Sequence, residues 1–235
     1  MNNRKIIINT QPDLTSCGPT SLLALYQYFE DPIQLKTLIK EIEQFDEGGG
    51  TLAVILGLHA LKRGYDVSLY SYNINTFDPS WFELPKQEIT EKLKKRYNER
   101  ENTDKEKVAL YCYMNFVKSG GNLFFEDLSP EIIKRFLNQQ QPILTGLSST
   151  WLYRSKREDP LTTEDDDVKG DPAGHFVVLY DYDPGKNHIF VADPYKPNPI
   201  SGTNYYEVDM ARLINAILLG ISSFDGNLLI IKPKA

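Results

Sequence analysis

The sequence predicts an α+β fold, and two observations carry that prediction. Apolar residues recur at helical spacing through most of the first half of the chain, whereas β patterns dominate the second half. The clearest β signal is a hairpin, in which His175–Tyr182 and His188–Ala192 flank the turn-forming residues 183–187. Strands that follow helices, rather than alternating with them, favour antiparallel pairing. We therefore expect a helical half packed on a largely antiparallel β-sheet.

The composition is that of a folded, mildly acidic protein. The 235 residues include 26 Lys and Arg against 32 Asp and Glu, a formal net charge of −6, which argues against a nucleic-acid partner. Hydrophobic residues make up 41% of the chain, enough to bury a core, and its length fits one domain over 1–235. The apolar runs are far shorter than the roughly 20 residues of a membrane span, so no membrane partner is expected.

The N-terminus and the cysteine content predict a cytoplasmic protein. The apolar run Ile6–Ile8 is shorter than the core of a signal peptide, which needs about 7 to 15 residues. The two cysteines, Cys17 and Cys112, provide neither a disulfide framework nor the spacing of zinc ligands. We therefore expect both thiols to be reduced.

Periodicity and helix signals assign the elements of the first half. These are a strand over Ile6–Ile8, helices over Pro19–Phe29 and Ile33–Phe45 and from Gly48 toward Gly64, and a strand over Tyr65–Tyr72. The stretch from Asn73 to Asn122 contains a charged run with apolar residues at helical spacing, followed by a second helical pattern. We interpret this stretch as a helical insertion.

The second half closes the predicted domain. Its elements are a helix over Ser129–Gln139, a strand over Pro142–Leu147, the hairpin, a helix over Asp209–Leu219 and a strand over Asn227–Ile231. The intervening loop, Ser148–Gly174, is long and polar. Because long loops within a domain are usually functional or disordered, this loop is expected to border a site.

Cys17 has the sequence setting of a nucleophile. It lies at the N-terminal end of the first long helix, where Gly18 allows close backbone approach and Pro19 sets the first turn. The positive end of a helix dipole stabilises a thiolate. The alternative, a small buried core residue, is the expectation for Cys112, which lies within an apolar helical stretch.

Among the three histidines, His175 is the best candidate for the base that activates Cys17. It opens a strand after a flexible segment, so its ring can project from the sheet edge. His59 lies within a helix among apolar residues, and His188 lies at the turn end of the hairpin, about 25 Å from His175 at roughly 3.3 Å per residue. Neither is expected to serve the site.

Two further residues complete the predicted site. Asp193 ends the returning strand at the same end of the hairpin as His175, where it can orient the imidazole, although an Asp before Pro can also be a simple turn residue. Gln11 precedes Cys17 across a turn-forming segment, so its amide can donate to an oxyanion together with the Cys17 backbone N–H. Gln11 before Pro12 is also compatible with a turn alone.

Four sequence blocks together resemble the papain-like double-glycine leader peptidases, which process bacteriocin precursors. The blocks are Gln11, Cys17–Ser21, Gly174–Leu179 and Ala192–Pro194, in the order Gln, Cys, His, Asp that this family uses. The resemblance implies a papain-like fold and a cysteine peptidase, which acts on a peptide or isopeptide bond of a peptide or protein substrate through an acyl-enzyme.

Within that superfamily, the chain is similar to stand-alone cytoplasmic members. It contains no transporter membrane segments and no P-loop ATPase motif, and it carries the insertion over 73–122. Residues 151–154 and 170–174 resemble those of predicted peptidases associated with ATP-grasp peptide ligases. This closer resemblance implies a peptide ligase as a partner.

The loop before His175 offers candidate substrate-binding residues. Arg154 can receive a substrate carboxylate while Trp151 and Tyr153 line an apolar subsite; a mobile charged loop is the alternative. The acidic run 164–167 lacks a glycine-set cation loop and is typical of a solvated loop. The predicted mechanism requires no metal and no cofactor.

Two other functions are compatible with the same residues. An acyl or γ-glutamyl transferase shares the acyl-enzyme step but uses an amine instead of water, so only product analysis separates it from a peptidase. A non-catalytic module would grip a peptide in the cleft, and in that case Cys17 would be unreactive.

Overall fold

The computed structural model describes residues 5–45, 50–160, 162–223 and 225–234, which contain eight α-helices and seven β-strands. The helices are α1 (Cys17–Tyr28), α2 (Leu35–Glu41), α3 (Ala53–Lys62), α4 (Lys86–Glu99), α5 (Asp104–Lys118), α6 (Pro130–Leu137), α7 (Ser149–Tyr153) and α8 (Met210–Leu219). The strands are β1 (Tyr65–Ser71), β2 (Asn122–Phe124), β3 (Ile143–Ser148), β4 (Gly174–Asp183), β5 (His188–Ala192), β6 (Tyr205–Asp209) and β7 (Asn227–Pro233). Short 3₁₀ turns occupy Pro79–Trp81 and Gly220–Ser223.

All seven strands form one sheet, in the order β2-β1-β7-β3-β4-β5-β6. Only the β1–β2 pair is parallel, and the other neighbours pair antiparallel. This confirms the predicted α+β class and the largely antiparallel sheet. In β3–β4 pairing, Leu147 lies opposite His175, and β5 returns so that Ala192 lies opposite Val178. The end of β5 therefore lies opposite the middle of β4, and the chain that follows β5 brings Asp193 to His175 near the start of β4.

The sheet is covered on both faces. One core joins α1, α3 and α5 to the face that carries Val178 and Leu229. The other joins α6 and α8 to the face that carries Val177 and Leu228. Neighbouring residues of one strand thus belong to different cores, as the period of two in β-structure requires. A strand that is buried on both faces has a continuous apolar sequence, as Phe176–Leu179 has.

Helix α1 is the central helix of the first core. Its first ten residues, from Cys17 to Tyr26, are all buried, and Leu22, Leu25 and Tyr26 are fully inaccessible. A helix that is buried on all sides lacks a polar face. It packs on the sheet mainly against β4, and its N-terminal turns lie near the start of that strand.

The structure corrects several predicted elements. The predicted strand Ile6–Ile8 is wrong: Ile6 and Ile8 are buried, but the Ile8 N–H donates to the Tyr205 hydroxyl at 3.1 Å instead of joining a ladder. Strands β2 and β6 and helix α7 were not predicted, so the loop over 148–174 is shorter than expected. Helix α2 ends at Glu41 rather than Phe45, and Gly48, the predicted start of the third helix, lies outside the described residues.

The helical character of residues 73–122 is confirmed by α4 and α5. Helix α5 begins with a capping box, in which the Thr103 hydroxyl accepts from the Glu106 N–H at 3.2 Å. The Glu106 carboxylate in turn accepts from the Thr103 N–H at 2.8 Å. None of the helices in the described ranges has both the length and the apolar character that crossing a bilayer requires.

Candidate active site

Cys17 is the first residue of α1, and the segment before it is shaped by Asp13. The Asp13 carboxylate accepts hydrogen bonds from the backbone N–H and the hydroxyl of Thr15, both at 2.9 Å. This turn leads into the helix, so Cys17 stands at its N-terminus, where the first backbone N–H groups have no partner within the helix. The thiol is buried, with 7% exposure.

Two neighbours of Cys17 hold α1 against β4. A Cβ atom at Gly18 would lie 2.8 Å from Thr51 Cγ2 and 3.3 Å from the Phe176 ring, so only glycine allows this approach. One turn further along α1, the Ser21 hydroxyl donates to the Phe176 carbonyl at 3.1 Å in the buried interior. Because Phe176 follows His175, these contacts fix the spacing between the cysteine and the histidine.

The structure brings Cys17, His175 and Asp193 together. His175 Nε2 lies 2.8 Å from Asp193 Oδ1, and Cys17 lies close enough to the ring to help raise its pKa. Because Nε2 faces the carboxylate, Nδ1 is the nitrogen left for the thiol. The imidazole can therefore exchange a proton with sulfur while the carboxylate fixes its orientation.

The charged forms of His175 and Asp193 stabilise each other. Burial opposes protonation of His175, but the charge and hydrogen bond of Asp193, with a contribution from Cys17, raise the pKa of His175 to about 10. Burial likewise favours the neutral form of Asp193, yet the His175 charge and several hydrogen bonds hold the pKa of that carboxyl below its ordinary value. The pair is therefore imidazolium and carboxylate across neutral pH.

Asp193 is fully buried and fully hydrogen-bonded. Its Oδ1 accepts from the Tyr195 N–H at 2.8 Å as well as from His175. Its Oδ2 accepts from the hydroxyls of Tyr153 and Tyr206, each at 2.7 Å. A buried charge is tolerated only when it is paired in this way.

Two aromatic rings flank the imidazole. The ring centroids of Tyr153 and Tyr195 lie 6.2 Å and 6.3 Å from that of His175, and the two tyrosine rings lie 6.3 Å from each other. The imidazole between them is 8% exposed. The two tyrosine rings reduce the access of water to the His175–Asp193 hydrogen bond, which strengthens it.

Gln11 is brought to the same edge by the residue that follows Asp193. Its backbone N–H donates to the Pro194 carbonyl at 2.9 Å, and its side-chain Nε2 donates to the Asp13 carbonyl at 2.8 Å. An amide nitrogen carries two hydrogens, so a second donor remains. The oxyanion role of Gln11 stays a prediction.

The three predicted substrate-binding residues lie on or next to α7. Trp151 is 48% exposed, and Arg154 follows the helix in a left-handed conformation with φ 56° and an exposed side chain. Tyr153 is half-buried, and its hydroxyl is taken up by Asp193. The exposed positions of Trp151 and Arg154 leave them available to a ligand, whereas the hydroxyl of Tyr153 is committed to the site itself.

The remaining candidates lie elsewhere, and each has other partners. His59 is bound by the Tyr26 hydroxyl at 2.8 Å and by Glu41 at 3.0 Å. His188 lies at the far end of the hairpin, 3.7 Å from Glu207. Cys112 is buried in the first core, and burial, together with the Glu43 charge, raises its pKa to about 11.

The acidic run has turn-forming roles. Asp166 accepts from the backbone N–H groups of Val168 and Lys169, both at 2.9 Å. Among the described residues, no group of three or more His, Cys, Asp or Glu side chains is arranged to hold a metal ion.

Sequence reasoning missed Tyr206 and Ser21. Tyr206 lies on β6, which was not predicted, although the alternating burial of Tyr205–Asp209 follows a period of two that the sequence carries weakly. Ser21 could have been found from its spacing, since a residue four positions after Cys17 lies on the same face of a helix.

The comparison with family models identifies one family. A family model described as "Peptidase_C39 like family" matches residues 4–216. No curated protein sequence matches the chain. A solved structure of a putative C39-like peptidase from Bacillus anthracis is similar with a TM-score of 0.52 and 14% identity, over 99% of this chain and 98% of that chain. This likeness shows a shared fold.

Two further solved structures are similar at lower scores. The peptidase domain of Streptococcus ComA, a bifunctional ABC transporter involved in quorum sensing, has a TM-score of 0.46 and 13% identity over 98% of this chain and 100% of that chain. A double glycine motif protease from an AMS/PCAT transporter, in complex with the leader peptide, has a TM-score of 0.46 and 15% identity over 98% of this chain and 94% of that chain.

Proposed function

We propose that Cys17, His175 and Asp193 form the catalytic triad of this chain, which belongs to the Peptidase_C39 like family and is a cysteine peptidase. One observation carries the proposal: Asp193 holds the His175 ring through Nε2 at 2.8 Å, and Cys17 lies close enough to that ring to help raise its pKa. Such a chain of nucleophile, base and orienting carboxylate is what acyl transfer to sulfur requires.

The first half of the proposed reaction forms an acyl-enzyme. The Cys17 thiolate attacks the carbonyl carbon of the scissile peptide or isopeptide bond, and negative charge develops on its oxygen. The Cys17 N–H at the start of α1 and the free hydrogen of the Gln11 amide stabilise that oxyanion. His175 then gives its Nδ1 proton to the departing nitrogen as the C–N bond breaks.

The second half returns the enzyme to its starting state. Neutral His175 takes a proton from water as the water oxygen attacks the thioester carbonyl. The C–S bond breaks, and the thiolate again faces the imidazolium. Asp193 keeps its negative charge throughout and serves only to stabilise and orient the ring.

The proposed substrate is a peptide or protein segment in an extended conformation. The exposed Trp151 ring offers an apolar contact, and the Arg154 guanidinium offers a contact for a carboxylate on the substrate. Association with a peptide ligase stays a prediction from the sequence resemblance.

The proposal is tested with peptide mixtures derived from a digested proteome. New termini are identified by mass spectrometry after incubation with the wild type, Cys17→Ala, His175→Ala and the matched control Cys112→Ala. We expect cleavage by the wild type and the Cys112 variant only. Cleavage that persists in Cys17→Ala would contradict the proposal. Adding glycinamide separates hydrolysis from acyl transfer, because a transferase yields amide products.

A further inference from the structure

Asp193 is held by more donors than a turn carboxylate needs. It has 0% exposure, and two separate elements, α7 and β6, each send a tyrosine hydroxyl to its Oδ2 atom at 2.7 Å. Oδ1 accepts from the His175 ring and from a backbone N–H. A carboxylate has about four acceptor sites, so all of its capacity is used.

The two carboxylate oxygens of Asp193 bind different partners. Oδ1 makes the contact that orients the histidine, whereas the partners of Oδ2 in the described part of the chain are the two tyrosines. Phenylalanine would fill nearly the same volume at both positions, but two phenylalanines would leave Oδ2 buried without a donor, and this is costly for a charged oxygen. The hydroxyls therefore do something that packing alone does not require.

Both tyrosines remain hydrogen-bond donors near neutral pH. Burial, followed by the charge of Asp193, raises the pKa of Tyr153 and of Tyr206 far above the ordinary value. Neither hydroxyl ionises near neutral pH, so neither can repel the carboxylate. The Tyr153 ring also lies beside the His175 ring, 6.2 Å away between centroids.

We propose that Tyr153 and Tyr206 are positioning residues that keep Asp193 charged and aligned with His175, so that the imidazolium faces Cys17 over the working pH range. This inference rests on the proposed triad and adds two residues to it. The hydroxyl of each tyrosine binds Asp193. They act through Asp193, because their hydroxyls hold negative charge on a carboxylate that burial alone would protonate.

The consequence is a defined pH dependence. Each hydrogen bond that a carboxylate accepts stabilises its charged form and lowers its pKa. Removing one hydroxyl should therefore raise the pH below which the His175–Asp193 ion pair is lost, and removing both should raise it further. At pH values below that limit, Asp193 becomes neutral and the imidazolium loses its counter-charge.

The test uses iodoacetamide as the probe, so it needs no substrate. The second-order rate constant for alkylation of Cys17 is measured from acid to neutral pH by mass spectrometry in the wild type, Tyr153→Phe, Tyr206→Phe and the double variant. Tyr182→Phe is the matched control: its hydroxyl donates to the Asn138 side chain at 3.1 Å, away from the site. We expect the control profile to coincide with that of the wild type.

A second readout follows the histidine directly. With 15N-labelled histidine, the NMR signal of the His175 Nε2–H reports its hydrogen bond to Asp193. The pH at which this signal is lost should rise in the same variants in which the pH at which Cys17 alkylation declines rises. If the double variant does not fold, the two single variants carry the same test, each with an upward shift expected.

The outcomes are separable. Folded variants whose alkylation and NMR profiles coincide with those of the wild type would overturn the positioning role, even if their melting temperatures fall. If wild-type Cys17 is no more reactive than Cys112 at any pH, the triad itself fails, before the tyrosine variants are compared.

Discussion

Asp225 makes the stability of this protein depend on pH in a way that one substitution removes. The residue precedes β7 and is 7% exposed. Its carboxylate accepts from the Ala53 N–H at the start of α3, at 3.2 Å, and from the Asn227 amide at 2.9 Å. Burial outweighs these bonds and the nearby Lys105 charge, and raises the pKa of Asp225 from 3.8 to about 7.

The sign follows from the direction of that shift. The folded protein binds the Asp225 proton more tightly than the unfolded chain does, so this contribution to stability is full below about pH 3.8 and is lost as pH rises to about 7. A difference of about three units corresponds to roughly 4 kcal/mol at about 1.4 kcal/mol per unit. For a chain of this size, that amounts to a melting-temperature difference of about 8 to 16 °C.

Asp225→Asn is the perturbation, because asparagine has the shape of the protonated acid and cannot ionise. Melting temperatures of the variant and the wild type are compared by calorimetry at about pH 4.5 and about pH 8. We expect the melting temperature of the variant, relative to that of the wild type, to be higher at the higher pH than at the lower pH. Asp66→Asn, which removes an exposed carboxylate of β1, is the control for the loss of one charge. A difference between Asp225→Asn and the wild type that is equal at both pH values would refute the reasoning.

Three further predictions concern the contacts around the site. Ser21→Ala removes the buried hydrogen bond to the Phe176 carbonyl, so we expect a loss of about 1 to 3 kcal/mol in urea unfolding and slower alkylation of the active-site thiol; unchanged values would contradict the spacing role. Gly18→Ala forces a Cβ to within 2.8 Å of Thr51, and should lower the melting temperature by several degrees; equal stability would show that the neighbours can yield. Asp193→Ala removes the acceptor that orients the imidazolium, and stopped-flow assays should show peptide hydrolysis reduced by about 10²-fold or more, whereas a reduction below tenfold would exclude an orienting role.

The elements with strong periodicity could be predicted from the sequence, and so could the placement of His175 and Asp193 at the same end of the hairpin. Continuous apolar runs on either side of turn residues predicted the hairpin of β4 and β5, and with it the strand that carries His175. Helix α1 was predicted from its apolar spacing, although it begins at Cys17 rather than at Pro19. Local patterns suffice for these elements because the spacing of the apolar residues in each element shows which of its faces is buried.

The remaining features depend on contacts between distant parts of the chain. Ile6–Ile8 has β propensity, but its polar backbone is satisfied in part by the Tyr205 side chain, which no local pattern reveals. The short strand β6 is defined by its pairing with β5. The convergence of Tyr153 and Tyr206 on one carboxylate oxygen joins residues from α7 and β6, so it depends on the tertiary fold.

The most direct test of the central claim is the alkylation of Cys17 by iodoacetamide as a function of pH, with Cys112 as the internal reference. Because the pKa of His175 is raised to about 10, the imidazolium is available to a thiolate throughout the neutral range. Burial and the Glu43 charge raise the pKa of Cys112 to about 11, so it should stay unmodified. The account predicts rapid reaction of Cys17 below about pH 7 and loss of that reaction in His175→Ala. Equal reactivity of the two thiols, or a His175→Ala variant that behaves as the wild type does, would contradict it.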